Sequence, residues 1–259
     1  MRGALRRYLE TDLLLGVYAA PLRIPSPATA RRGRTRGGRS ATLPPTAAGK
    51  KLQAIPPEEL ARRTEALRQL DEREVSVCEK CPLHTTRTKT VFGQGNPAAR
   101  LVFVGEAPGR DEDMQGLAFV GRAGQLLTRM IEAMGLTRDE VFICNIVKCR
   151  PPDNRDPAPA EVAKCWPYLD QQLRIISPDV IVALGKPAVQ ALLHTSEGIG
   201  QLRGQWHEYV IPDEQEARAS IPLMPTYHPA YLLRSPAEKN KAWSDLKQAL
   251  VRLGLPIPR

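Results

Sequence analysis

Three polar residues stand where predicted strands run out. Glu106 follows the apolar run Leu101–Gly105, Asn145 ends a second such run, and His228 follows a last one. A carboxylate can orient water or stabilise a developing cation. A carboxamide offers a donor and an acceptor side by side, which suits the Watson–Crick edge of a nucleobase. An imidazole can donate to developing negative charge or steer a proton. Phe119, in a Gly-flanked loop, adds one aromatic face. Taken alone, Asn145 would be an Asx-type turn residue and His228 an ordinary histidine. Their shared place at strand ends sets them apart, and His84, His194 and His207 lack it. Asp111, Glu112 and Asp113 offer further carboxylates, and Asn154 a second amide that could position water. No lysine is placed as a Schiff-base nucleophile. Beyond His228, Leu232-Leu233 followed by Arg234 reads as an apolar wedge beside a phosphate-binding cation.

The five cysteines form the second chemical signal. Cys78-x-x-Cys81 places two thiolates within one turn's reach, and Cys149 and Cys165 are separated by fifteen residues across a Pro-rich loop. Four thiolates from two distant segments suit a Cys₄ site, either zinc or an iron–sulfur cluster. Zinc sites usually show a second Cys-x-x-Cys, which is absent here and tilts the balance toward the cluster. Cys144 lies mid-strand and reads as a small buried hydrophobe. An odd count without a secretory signal argues against a disulfide framework.

Positioning these groups requires strands alternating with helices. Leu101–Gly105, Val141–Val147, Asp179–Gly185 and Ile221–Tyr227 are apolar, β-branched runs that read as buried strands, with Trp206–Ile211 as a short edge strand. Gly93–Pro97 reads as a turn. Helices are expected from Pro57 to about Val77, Gly121 to Met134, Pro159 to Ile176, Gly185 to Leu193 and Ala237 to Leu253. The fold class that follows is α/β: a three-layer α/β/α sandwich around a central, mainly parallel four-stranded sheet. Ligands bind such sheets at the carboxyl ends of the strands. Neither a dinucleotide fingerprint nor a phosphate-binding P-loop is present.

Charge divides the chain. The net charge is +9, and residues 1–55 alone hold eleven basic and two acidic residues. The remainder is balanced, so any nucleic-acid surface there must come from local placement of Lys and Arg. Residues 1–55, rich in Pro, Arg and Gly, read as a disordered basic arm, and residues 56–259 as the folded domain. No apolar run approaches the roughly 20 residues that cross a bilayer, so a cytoplasmic location without membrane contact is expected.

Together these residues resemble the family 4, or iron–sulfur, class of uracil-DNA glycosylases. The likeness runs from about Val77 to Leu253. It comprises Cys-x-x-Cys, the Gly105–Asp113 segment, Phe119–Leu127, Asn145–Pro157, Cys165, Leu184-Gly185, Arg203-Gly204 and Tyr227–Arg234. It implies that Gly105, Glu106 and Ala107 border a uracil pocket. Phe119 would stack on the base, Asn145 read its edge, and His228 contact its oxygen. Cys78, Cys81, Cys149 and Cys165 would hold a structural 4Fe–4S cluster. The activity implied is monofunctional hydrolysis of the deoxyuridine glycosidic bond, with Glu106, Asn145 and His228 as the catalytic set. Its partner would be uracil-containing DNA, single- or double-stranded, acted on by a monomer. Family members usually carry Pro before the Phe119 position, where this chain has Ala118. The alternatives are a non-catalytic module that binds uracil or damaged DNA, and a Cys₄-zinc scaffold without a base pocket.

Overall fold

The structure is a computed structural model that describes residues 55–211 and 220–258. The expected basic arm, apart from Ile55, lies outside the described residues. Six strands form one sheet: β1 (Gln94–Gly95), β2 (Leu101–Gly105), β3 (Phe142–Asn145), β4 (Val180–Leu184), β5 (His207–Val210) and β6 (Ser220–Thr226). Their order is β1-β3-β2-β4-β6-β5. The four expected strands β3, β2, β4 and β6 pair in parallel, and short β1 and β5 extend this core antiparallel at its two edges. The Gly93–Pro97 turn thus contributes two residues of strand as well as a change of direction.

The helices are α1 (Pro57–Leu70), α2 (Arg110–Gln115), α3 (Arg122–Ala133), α4 (Pro159–Ile176), α5 (Lys186–Leu193), α6 (Ile199–Leu202), α7 (Pro229–Arg234) and α8 (Lys239–Leu253). Every residue of β2, β3 and β4 is buried, because a parallel sheet covered on both faces has no wet side. Alternate residues go to opposite layers. Val102, Val104, Ile181 and Ala183 pack with Leu67, Leu169, Leu173 and Val189 of α1, α4 and α5. Leu101, Phe103, Val180 and Val182 pack with Leu127, Ile131, Leu246 and Leu250 of α3 and α8. This is the three-layer sandwich.

Register brings the strand ends level. Gly105 sits opposite Asn145, and Leu184 opposite Thr226. The chain leaves β2 toward β3 on one side and resumes at β4 on the other, so connections diverge at this point of the sheet. A crevice opens at the carboxyl ends of strands where the winding reverses in this way. Among the described residues, no helix is long and apolar enough to cross a membrane.

Candidate active site

One cleft of about 790 Å³ occupies that crevice and is lined by Glu106, Phe119, Asn145 and His228 among others. Its deepest polar group is Asn145, which is 1% exposed. The Asn145 main-chain carbonyl accepts a hydrogen bond from Lys148 Nζ at 2.8 Å, which fixes the backbone. Its side-chain Oδ1 is buried and has no partner within the protein. Leaving such an oxygen unpaired costs about 1–3 kcal/mol, and an incoming N–H donor would recover that cost.

Gly105 explains how the amide and the ring come together. A Cβ at Gly105 would lie 2.4 Å from Asn145 Oδ1 and 2.5 Å from Phe119 Cζ. Only a residue without a side chain lets both groups close on the end of β2. Gly105→Ala is therefore expected to cost about 1–3 kcal/mol of stability and to displace Asn145 and Phe119. Thermal melting and activity of the variant check this; native values for both would contradict it.

Phe119 is held in a left-handed conformation, φ +53°, which side chains of its bulk rarely adopt. Two clamps offset the strain. The Glu112 carboxylate accepts from the Val120 and Gly121 N–H groups at 2.9 and 2.8 Å, and from Gly109 N–H at 3.1 Å. Arg138 donates to the carbonyls of Ala118 and Phe119 at 2.7 and 3.2 Å. Gly124 lets α3 approach, since a Cβ there would sit 1.9 Å from the Phe119 carbonyl oxygen. These contacts hold the loop in place without a proline.

His228 caps α7. Its Nδ1 accepts the Ala230 N–H at 3.1 Å, so the ring proton resides on Nε2. Burial, reinforced by Arg234, brings its pKa down to about 4, so the ring is neutral at pH 7. It lies 5.7 Å from the Phe119 ring, centroid to centroid. Gly185, at φ +88°, allows this packing, because a Cβ there would meet His228 Cβ at 2.8 Å. Below His228, Thr226 Oγ donates to buried Asp245 at 2.7 Å, and Arg203 forks onto the same carboxylate. That network fixes the end of β6.

Glu106 is half-buried beside Asp156. Burial first, and then the charge and hydrogen bonding of Asp156, push its carboxyl up to about 7. Two of the three neighbouring carboxylates are committed elsewhere, Glu112 to the Phe119 loop and Asp113 to the N–H groups of Thr88 and Lys89, while Asp111 is exposed to solvent. Asn154 lines the cleft with its amide oxygen held by Arg150 Nε at 2.7 Å.

The expected wedge needs correction. Leu232 is 1% exposed and packs on Leu126 and Ala242, with Leu233 half-buried against the same cluster. The helical period of α7 turns Leu232 inward, so it cannot act as a wedge, whereas Arg234 does reach the cleft. A lysine, Lys186, also stands at the rim. It is exposed, so it is a hydrated cation rather than a desolvated nucleophile.

The four cysteines of the expected cluster meet. Cys78, Cys81, Cys149 and Cys165 all line one small cavity, with Lys148, Arg87 and Tyr168 around them. Arg87 donates to Cys149 Sγ at 3.3 Å, and the Lys148 N–H to Cys165 Sγ at 3.2 Å. N–H groups and cations aimed at sulfur favour thiolates, but burial is the larger effect and pushes the Cys149 and Cys165 thiols up. Cys144 is buried in β3, away from this group. Lys148 thus touches both the cysteine cavity and Asn145.

The profile of the Uracil DNA glycosylase superfamily matches residues 92–247. A type-4 uracil-DNA glycosylase of Archaeoglobus fulgidus is 45% identical over 180 residues, covering 68% of this chain and 88% of that protein. The chain belongs to the uracil-DNA glycosylase superfamily. Two further type-4 uracil-DNA glycosylases agree. That of Thermotoga maritima is 45% identical, over 66% of this chain and 85% of its own length. That of Sulfurisphaera tokodaii is 44% identical, over 68% and 80%. Within this superfamily member, the cleft gathers Glu106, Phe119, Asn145 and His228, and also Ala107, with Gly105 packed behind them. Sequence reasoning passed over Asp156, Arg138 and Lys148. Asp156 and Lys148 lie inside the Asn145–Pro157 motif, which was the available signal; Arg138 gave none.

Proposed function

We propose that the chain is a monofunctional uracil-DNA glycosylase: it hydrolyses the bond between uracil N1 and deoxyribose C1′ of an extruded nucleotide. The observation that carries this reading is the buried, unpartnered Oδ1 of Asn145 in a cleft walled by Phe119 and His228. The glycosidic bond is inaccessible inside a base stack, so the nucleotide must leave the duplex or arrive single-stranded. Phe119 offers a face to the ring. Asn145 accepts the uracil N3–H and donates to O4, whereas cytosine presents the opposite pattern. Thymine's methyl is excluded sterically, with Glu106 and the neighbouring backbone crowding that edge.

Cleavage leaves cationic character on the sugar and an anion on uracil. Neutral His228, with its proton on Nε2, donates to the uracil oxygen and stabilises that anion, helped by backbone N–H groups near Gly105–Ala107. Ionised Glu106 opposes the sugar's positive charge and accepts a proton from the attacking water. The water oxygen bonds to C1′, and uracil takes up a proton as it leaves. Both roles of Glu106 need the charged form. Activity is therefore expected to fall about tenfold per pH unit below about 7 and to level off above it. His228 stays neutral until about pH 4 and adds no break in that range. A pH profile of wild type beside Glu106→Gln checks this; an unchanged acid limb in the variant would remove Glu106 from the role.

The four cysteines fit a 4Fe–4S cluster. Among the described residues, no group of three or more His, Cys, Asp or Glu closes on a point that could hold a single metal ion. Yet four cysteines surround one cavity. In a four-iron cluster each thiolate binds its own iron, so the sulfurs need not converge as they must on one zinc. Cys78, Cys81, Cys149 and Cys165 would hold the cluster, which would cross-link the segment after α1 to the Cys149–Cys165 loop. Partner DNA, a monomeric state and a cytoplasmic location complete the reading.

The reaction is tested with an end-labelled strand containing one uracil. Scission only after alkali marks an abasic product, and borohydride should trap no protein–DNA adduct despite Lys186. A strand that is bound but stays intact after alkali would identify a binding module instead.

A further inference from the structure

The rim of the cleft carries an aromatic feature that the reaction above does not use. With Leu232 turned inward, the aromatic residue that α7 presents outward is Tyr231, 36% exposed and lining the cleft. Its ring stands 5.0 Å from that of Tyr227, tilted by 41°. Tyr227 is braced from behind: the Arg203 guanidinium lies 5.3 Å from its ring centroid, and Arg203 is itself tied to buried Asp245. The pair is therefore fixed in place before any ligand arrives. Lys186 and Arg234 line the same rim, and neither makes an ion pair among the described residues.

Extruding one nucleotide leaves its neighbour with an unstacked face. Surfaces that receive single strands meet this need with aromatic rings for bases and free cations for phosphates. Among the described residues, this rim presents no exposed aliphatic wedge that could prise a duplex apart. Building on the glycosylase reading, we propose that Tyr231, braced by Tyr227, is a stacking platform for the nucleobase adjacent to the extruded uracil. The gain is largest for single-stranded DNA, because in a duplex the neighbouring base keeps its own stacking and pairing. Lys186 and Arg234 hold the flanking phosphates.

The test compares wild type with Tyr231→Ala, Tyr231→Phe and Tyr231→Leu on a single strand containing one uracil. A second strand carries base-less tetrahydrofuran residues on both sides of that uracil. On the first strand, Tyr231→Ala is expected to raise KM roughly five- to a hundredfold, with kcat little changed; Phe should restore the wild-type value and Leu should not. On the base-less strand the ratio of variant to wild-type KM should fall toward one. A readout free of turnover places 2-aminopurine beside a 2′-fluorinated, cleavage-resistant deoxyuridine. Its fluorescence should be quenched by wild type and Tyr231→Phe, and not by Tyr231→Ala. Rescue by Leu would make the residue a wedge and overturn the proposal. Equal ratios on the two strands, or quenching by Tyr231→Ala, would overturn it as well. Quenching by wild type without release of uracil from the cleavable strand would leave the platform standing and sink the glycosylase reading instead.

Discussion

Asn145→Ala is expected to lower kcat/KM for uracil release by roughly 30-fold to 10⁴-fold while leaving the protein as stable as before, or slightly more so. Two hydrogen bonds to the base are lost, each about 1–3 kcal/mol in a buried pocket, and every 1.4 kcal/mol is tenfold. The stability side follows from the same atom. Oδ1 has no partner in the free protein, so removing it deletes an unpaid desolvation rather than a contact. A residue kept for packing would behave in the opposite way, with melting temperature falling first and activity following. Single-turnover kinetics beside thermal melting separates the two patterns. Activity within threefold of wild type, or a large loss of melting temperature, would contradict the base-reading role.

Cys149→Ser is expected to abolish both cofactor absorbance and cooperative folding. Cys149 and Cys165 bracket the Arg150–Lys164 segment, and Cys78 and Cys81 follow the end of α1. A metal site that ties such segments together contributes on the order of 10 kcal/mol in small metal-dependent domains, against a total stability of about 5–15 kcal/mol. What remains to hold the loop is modest. Arg155 forks onto Glu161 at 2.8 and 2.6 Å, and Glu161 also accepts the Ala158 N–H at 2.7 Å. These bonds order the loop's far side but do not reach the Cys78–Cys81 segment. Visible absorbance, iron content and far-UV dichroism of the purified variant provide the check. A colourless protein that is folded and fully active would overturn the structural assignment. Zinc in place of iron would turn it toward the single-ion alternative.

The parts of the fold that were legible in the sequence were those that burial writes most strongly. The runs at Val102, Ile143 and Val182 have no polar break, so a buried parallel sheet was the reading that fitted them. Once the sheet was parallel, Glu106, Asn145 and His228 had to share one edge. Local conformation was less legible. Phe119 carries no mark of its positive φ, which is imposed by Glu112, Arg138 and the approach at Gly124. Glu112 looked like a candidate acid and is a backbone clamp, a distinction visible only in its three N–H partners. Leu232-Leu233 looked like an exposed wedge because adjacent leucines beside an arginine were read without the helical period that buries the first. Asp156 affects Glu106 only because the loop after β3 folds back over the cleft, and spacing along the chain does not encode that.

A crystal structure of the protein with free uracil bears most directly on whether one pocket is built for an extruded pyrimidine. The base should lie flat on Phe119, with N3–H and O4 on the Asn145 amide and O2 facing His228 Nε2. Uracil bound elsewhere, or in the cleft with the Asn145 oxygen still unpaired, would contradict the account.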